Sequence, residues 1–228
     1  MIKAVIFDFD GTLSVRQEGA YGIYADYFRK YFSHLSDLEF EAVLQDFLLY
    51  ECNGTISMKR RIENYRKKYG EYLPEDLEEE FLPYYHAHMY EYTVLRNGMT
   101  EVLEQLKGKY RLGILSNGDS FSQHSKIRKV GIEHYFDAIV VSDDYGIDKP
   151  DVRIFEKTCE LLGVKPEECV MVGDVFSMDV LGSTCAGMTP IWIISDEDRP
   201  SHLYQGYRIR QPREILTILE KMKEEERR

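Results

Sequence analysis

Several features are scarce or missing in this chain of 228 residues, and each absence excludes a class of protein. The four cysteines lack metal-type spacing, so we expect reduced thiols rather than a disulfide framework or a zinc site. No apolar run approaches the ~18 residues of a membrane-spanning helix. The first predicted strand begins almost at the first residue, so we expect no signal peptide. The formal net charge is −11, so no basic surface for nucleic acid or anionic membranes is expected. These absences predict a cytoplasmic protein with neither a nucleic-acid nor a membrane partner.

The first apolar segment of the chain ends in two carboxylates. Ala4–Phe7 is short and rich in β-branched and aromatic residues, which predicts a buried strand. Asp8 and Asp10 follow directly, and the period of two in strand side chains directs both to the same side. Two like charges this close are costly unless a cation or a shared proton offsets them. Gly11 allows the chain to turn, and the hydroxyl of Thr12 is available to an anion.

Three later apolar runs also end in polar groups. Residues 112–115 lead to Ser116 and Asn117, Ala138–Val141 is followed after a polar loop by Lys149, and residues 170–172 lead to Asp174, with Asp179 five positions beyond. If the four runs form one parallel sheet, these groups converge at the edge where open α/β sheets bind their ligands. We therefore expect a single site built from four separated segments.

The pattern of helices and strands divides the chain into two parts. From about residue 98 onward strands alternate with helices, which predicts an α/β fold with a doubly wound, Rossmann-like parallel sheet. The segment between the first motif and residue 96 does not alternate; it contains four amphipathic helical patterns, at 21–32, 38–50, 56–69 and 77–92. We therefore predict a discontinuous core of residues 1–14 and 97–228 and a helical domain of residues 15–96, with linkers near 14–19 and 95–98.

These motifs resemble those of the haloacid dehalogenase superfamily of phosphohydrolases. The similarity rests on residues 8–13 (DFDGTL), Ser116-Asn117, Lys149-Pro150, and Gly173-Asp174 through Asp179, in the family's order. Two departures are Met178, where members of the family often carry Asn, and the acidic stretch 142–148. The resemblance implies a Rossmann-like core with an inserted helical cap of the first type, which would close over the site and select the leaving group.

For the two aspartates of the first motif, the resemblance and the chemistry of phosphate esters imply distinct roles. Asp8 is the expected nucleophile, forming an aspartyl-phosphate that divides one difficult displacement into two easier ones. Asp10 is the expected general acid for the leaving alcohol and then the general base for water. A carboxyl group keeps such a proton near neutral pH only where burial or neighbours raise its pKa, and Asp8 and Asp174 are the expected neighbours.

The remaining motif residues are expected to hold a cation and the phosphoryl group. Carboxylates without a histidine or cysteine cluster indicate a hard cation, and phosphate chemistry favours Mg²⁺. Its expected ligands are Asp8, the backbone carbonyl of Asp10, Asp174, and Asp179 either directly or through water. The phosphoryl group is expected to be bound by Ser116, Lys149, Thr12 and the backbone amides of Phe9 and Asn117.

The predicted function is therefore a Mg²⁺-dependent phosphatase that acts on a small soluble phosphomonoester, as a monomer or a homodimer. A phosphomutase of the β-phosphoglucomutase type uses the same nucleophile and remains an alternative. An alternative of a different class is a non-catalytic phosphate-binding or receiver-like signalling module, although a receiver lacks the helical insertion.

In the helical domain, Arg16 is expected to lie on the linker beside the site and to contact substrate. The aromatic side chains that recur at helical spacing, such as Tyr24, Phe28 and Phe47, are expected to form packing rather than a binding site.

Overall fold

The computed structural model describes residues 1–51, 56–195 and 202–227, and the chain forms two compact units. One unit combines Met1–Ser14 with Leu95–Arg228, and the other is Val15–Val94. The second boundary thus lies two residues before the predicted one. Among the cysteines, Cys159, Cys169 and Cys185 are free thiols, and Cys52 lies outside the described residues.

The first unit is built on a parallel sheet. In the described residues its six strands are β1 (Ala4–Phe7), β2 (Arg111–Ser116), β3 (Ala138–Val141), β4 (Cys169–Gly173), β5 (Thr189–Ile193) and β6 (Tyr207–Ile209). Their order is β3-β2-β1-β4-β5-β6, and every neighbouring pair is parallel. This topology confirms the predicted doubly wound α/β fold and places β1 between β2 and β4. Strand β6 was not predicted from the sequence, because three residues at a sheet edge are too few to show a strand pattern.

The helices lie between the strands and in the second unit. In chain order they are α1 (Arg16–Phe28), α2 (Asp37–Leu49), α3 (Met58–Tyr69), α4 (Leu77–His88), α5 (Met99–Leu106), α6 (Ser120–Lys129), α7 (Ser142–Tyr145), α8 (Val152–Leu162), α9 (Leu181–Cys185) and α10 (Glu214–Glu226). A π-helical turn, Phe176–Val180, precedes α9, where a single α-helix over 178–186 was expected. None of the helices within the described ranges has the length and hydropathy that crossing a bilayer would require.

Both faces of the sheet are covered, which explains why its strands are continuous apolar runs. In β1, Val5 and Phe7 face one core together with α5 and α10, whereas Ala4 and Ile6 face the other together with α8. Burial of each large side chain contributes roughly 1.5–3 kcal/mol. The central strand that leads to Asp8 is therefore held rigidly from both sides.

The second unit consists of α1 to α4 around an aromatic core. Tyr24, Phe28, Phe47, Tyr65 and Phe81 are fully buried, and the rings of Phe47 and Tyr65 stack with their centroids 4.1 Å apart. The aromatic stripe is thus packing, as expected. The expected linker over 14–19 was wrong for residues 16–19, because α1 already begins at residue 16.

Candidate active site

Three carboxylates meet at the carboxyl edge of the sheet. Asp8 follows β1, Asp174 follows β4, and Asp179 lies in the π-helical turn after β4. One oxygen from each of the three side chains lies within 4.8 Å of the others. Asp8 and Asp179 are buried and Asp174 is partly buried. The parallel sheet therefore brings together the carboxylates that the sequence placed at separate strand ends.

Lys149 lies inside this cluster. Its Nζ donates to Asp8 Oδ1 and to Asp179 Oδ1, both at 2.7 Å, and its side chain is 3% exposed. Burial by itself lowers the pKa of this amine, but the carboxylates of Asp179 and Asp8 outweigh it, so the pKa of Lys149 is raised above its usual value. The two carboxylates therefore favour the charged form of this lysine.

Asp8 is strongly affected by its surroundings. Burial raises the pKa of Asp8 to about 6, against the opposing effect of Lys149, and the charges of Asp179 and Asp10 add to the increase. Its Oδ2 is buried and has no hydrogen-bond partner among the described residues. An unpaired buried carboxylate oxygen is costly unless a cation or a ligand satisfies it. The cluster offers oxygen donors, which fits a hard divalent cation.

The other two carboxylates are held by their neighbours. Thr12 Oγ1 donates to Asp174 Oδ1 at 3.3 Å, and Trp192 Nε1 donates to the Asp174 carbonyl at 2.8 Å. The Val175 amide donates to Asp179 Oδ2 at 2.9 Å. The Thr12 hydroxyl thus donates to a carboxylate of the site, whereas its sequence motif predicted a phosphate oxygen as its partner.

Hydrogen bonds fix the backbone of Lys149 and the loop after β1. Asn117 Nδ2 donates to the Lys149 carbonyl at 3.0 Å, and the Lys149 amide donates to Asn117 Oδ1 at 2.8 Å. Ser116 ends β2 and is buried. The Phe9 carbonyl accepts from the amide and the hydroxyl of Ser14, at 2.9 and 3.2 Å, which closes the loop after β1. The side chain of Asn117 therefore locks the backbone of the lysine.

Two residues beside Asp10 were missed by the sequence analysis. Lys126 Nζ lies 2.9 Å from Asp10 Oδ2, and Gln123 Nε2 donates to the same oxygen at 2.8 Å. Both donors lie on α6, three positions apart, and both are buried. The sequence analysis expected only carboxylates as charged neighbours of Asp10, so the ion pair with Lys126 is a correction. The sequence signal that could have identified them is the spacing of Gln123 and Lys126, which places both on one face of the helix after Ser116-Asn117.

Arg96 was also missed. Its Nε donates to the Thr12 carbonyl at 2.9 Å, its amide donates to the Leu13 carbonyl at 2.8 Å, and its guanidinium also reaches the Gly11 carbonyl. Burial lowers the pKa of Arg96, and the charge of Asp174 opposes this effect. Arg96 therefore fixes the turn that follows the two aspartates of the first motif.

Arg16 belongs to the second unit. It is the first residue of α1 rather than a linker residue, and its Nη2 lies 3.5 Å from Glu51 Oε1. The buried side chain of Glu51 also pairs with Arg61 Nη1 at 2.8 Å. Whether Arg16 contacts substrate stays a prediction.

The fold and the site define a class: an α/β protein with carboxylates and a buried lysine gathered at the carboxyl edge of a parallel sheet. The family model for haloacid dehalogenase-like hydrolases matches residues 2–187. The chain belongs to this family, which confirms the resemblance inferred from its motifs.

Named relatives narrow the class further. A glyceraldehyde 3-phosphate phosphatase from Methanothermobacter thermautotrophicus is 48% identical over 98 residues, which span 42% of this chain and less than half, 43%, of that protein. One from Methanopyrus kandleri is 29% identical over 239 residues, 97% of this chain and 99% of that protein. A crystal structure of a phosphatase of this family from Thermococcus onnurineus is 31% identical, with a TM-score of 0.63 over 96% of this chain and 98% of that one. The chain therefore belongs to a family of hydrolases, and these relatives, to which it is similar, are named as phosphatases.

Proposed function

We propose that the chain is a Mg²⁺-dependent phosphatase that hydrolyses a small soluble phosphomonoester through an aspartyl-phosphate on Asp8. The observation that supports this most is the meeting of three carboxylates within 4.8 Å, two of them bridged by Lys149. The unpaired Oδ2 of Asp8 lies in the same cluster.

The donor set fits a magnesium ion, because the three side chains that meet there all offer carboxylate oxygens. Asp8, Asp174 and the backbone carbonyl of Asp10 are the proposed ligands. Both oxygens of Asp179 already accept hydrogen bonds, from Lys149 and from the Val175 amide, which favours an orienting role through water. When bound, Mg²⁺ would offset the negative charge of the phosphoryl group and align it with the nucleophile.

The first half of the proposed reaction transfers the phosphoryl group to Asp8. A carboxylate oxygen of Asp8 attacks phosphorus while the bond from phosphorus to the leaving oxygen breaks, and Asp10 gives that oxygen a proton. Ser116, Lys149 and the backbone amides of Phe9 and Asn117 are the proposed partners of the phosphoryl oxygens. In this structure Lys149 is held in place by the Asn117 side chain.

The second half releases phosphate. Asp10, now ionised, takes a proton from a water molecule as that water attacks phosphorus. The bond from phosphorus to Asp8 breaks, inorganic phosphate leaves, and Asp8 returns as a carboxylate. Asp10 thus ends protonated again, with a proton from water in place of the one that left with the alcohol.

The substrate class is proposed from the relatives. Two of them are named as glyceraldehyde 3-phosphate phosphatases, so a phosphorylated metabolite of that size is the first candidate. The helical unit of residues 15–94 remains the proposed cap domain, and Arg16 its candidate substrate contact.

The test is phosphate release from a panel of small phosphomonoesters, including glyceraldehyde 3-phosphate, in Mg²⁺ or in EDTA. We expect Mg²⁺-dependent release by the native chain and a loss of about 10³-fold or more in Asp8→Asn. Asp37→Asn is the matched control, because that side chain is fully exposed. Release that survives in Asp8→Asn, or that ignores EDTA, would contradict the mechanism. Conversion of the substrate to a phosphorylated isomer without free phosphate would indicate a phosphomutase.

A further inference from the structure

The Asp10 carboxylate is held at both of its oxygens by side chains of α6. Lys126 Nζ lies 3.1 Å from Oδ1 and 2.9 Å from Oδ2, and Gln123 Nε2 lies 2.8 Å from Oδ2. Lys126 and Gln123 are 3% and 4% exposed, so water competes little for these contacts. A buried lysine is rare unless it is paired, and in the described residues the partner of this one is Asp10.

The two donors are themselves fixed in position. They are three residues apart on α6 and therefore share one helix face. The start of the helix is capped by Asp119, whose carboxylate accepts from the Ser122 amide at 2.8 Å. Gln123 Nε2 also donates to the Asn117 carbonyl at 3.3 Å, which connects Asp10 to the segment that locks Lys149.

The backbone makes room for this arrangement. A Cβ atom at Gly118 would lie 2.8 Å from Gln123 Nε2, so the end of the glutamine side chain would have to move away. The φ angle of Gly118 is +139°, a conformation that other residues rarely adopt. The glycine after Asn117 therefore admits the glutamine side chain that reaches Asp10.

We propose that Lys126 and Gln123 are positioning residues for Asp10. When Asp10 carries its proton on Oδ1, Oδ2 still accepts from both donors, so the carboxyl group keeps the orientation needed for proton transfer to and from the leaving oxygen. This inference rests on the proposed function, in which Asp10 is the general acid and base. An acid must lie within hydrogen-bond reach of its target, and a displacement of about 1 Å can cost about 10²-fold in rate. Neither residue needs to touch the substrate, since both act through Asp10.

Leaving-group dependence separates positioning from a merely structural role. We would measure kcat and KM at saturating Mg²⁺ for alkyl phosphates and for 4-nitrophenyl phosphate, whose leaving group needs little help from an acid. Lys126→Met is expected to lower kcat about 10²-fold for alkyl phosphates and only a few-fold for 4-nitrophenyl phosphate. KM should change little, and Lys126→Arg should recover most of the loss. Lys129→Met, an exposed change on the same helix, is the matched control.

Asp10→Asn distinguishes the two ways in which the idea can fail. If Asp10→Asn slows all substrates equally, Asp10 is not the acid and the proposed function is wrong at that step. If Asp10→Asn shows the leaving-group dependence but folded Lys126→Met does not, the positioning role is wrong. Should Lys126→Met fail to fold, Gln123→Leu removes one donor and keeps the charge. Gln123→Leu is then expected to lower kcat more for alkyl phosphates than for 4-nitrophenyl phosphate, by a smaller factor than Lys126→Met. An equal loss of kcat for all leaving groups would overturn the proposal.

Discussion

At the scale of single residues, Asp8 shows how burial and charge oppose each other in this site. A nucleophilic carboxylate must be ionised, yet its burial favours the protonated form and raises the pKa of Asp8 to about 6. Lys149 offsets part of that effect from 2.7 Å. The residue that the reaction needs is therefore expected to weaken the metal-free fold.

The raised pKa of Asp8 should make the stability of the metal-free protein depend on pH. The pKa of Asp8 is higher in the folded state, about 6, than its ordinary value of 3.8, so the folded state holds the proton more tightly. The free energy of unfolding should therefore fall as the pH rises from about 4 to about 6 and then level off. Asp8→Asn cannot titrate, so in EDTA it should become more stable than the native chain across that window. The expected difference is roughly 1–3 kcal/mol.

Urea unfolding at several pH values in EDTA measures this difference. Asp37→Asn serves as the control, because its exposed side chain should leave the pH profile of the native chain unchanged. Profiles of native chain and Asp8→Asn that run parallel from pH 4 to 8 would show that Asp8 does not carry the effect.

At the scale of elements, the junction of β4 with the π-helical turn determines where Asp179 lies. A Cβ atom on Gly173, the last residue of β4, would overlap the Cβ and Cγ atoms of Asp179. The absent side chain thus allows the turn to fold back and bring Asp179 to Lys149. The close approach of the Gly173 backbone to the Asp179 side chain explains why the fourth motif has a glycine at 173 and an aspartate at 179.

Gly173→Ala should therefore displace Asp179 and loosen Lys149. We expect a loss of roughly 10- to 100-fold in kcat/KM and a destabilisation of roughly 1–3 kcal/mol. Gly163→Ala is the matched control: its φ of +68° makes alanine unfavourable, but no atom lies within 4 Å of the added Cβ. It should lower stability by about 1 kcal/mol and leave activity unchanged. Equal activity in the two variants would show that the approach of Gly173 to Asp179 has no role in the site.

At the scale of the whole molecule, acidic charge sets the expected response to a cation. The chain carries a formal net charge of −11, and three of its carboxylates share one small volume. A divalent ion that binds the folded state and not the unfolded one shifts the unfolding equilibrium by mass action. Binding should therefore be visible in stability without any turnover.

Thermal unfolding should show this effect. At about 100 times its Kd, Mg²⁺ is expected to raise the Tm of the native chain by roughly 5–10 °C. Asp174→Asn should lose most of the shift, whereas Asp37→Asn should keep it. An equal rise in the native chain and in Asp174→Asn would mean that the ion stabilises the protein elsewhere.

The fold could be predicted from the sequence largely because its signals are local. The apolar runs at β1 and β4 and the alternation after residue 98 specify a doubly wound parallel sheet, and that sheet is what the structure contains. The short edge strand β6 and the π-helical turn were not predicted, because neither has a distinctive sequence pattern over so few residues.

What the sequence by itself determined is the set of strands other than β6 and the acidic residues that follow β1 and β4, since hydrophobic period and turn residues act over neighbouring positions. The tertiary structure decided which side chains meet. Lys126 reaches Asp10 across 116 positions, and Thr12 reaches Asp174 across 162. Such contacts depend on the order of the strands and on the face that each helix turns inward. No local pattern encodes them, because they arise only when separate elements pack against one another.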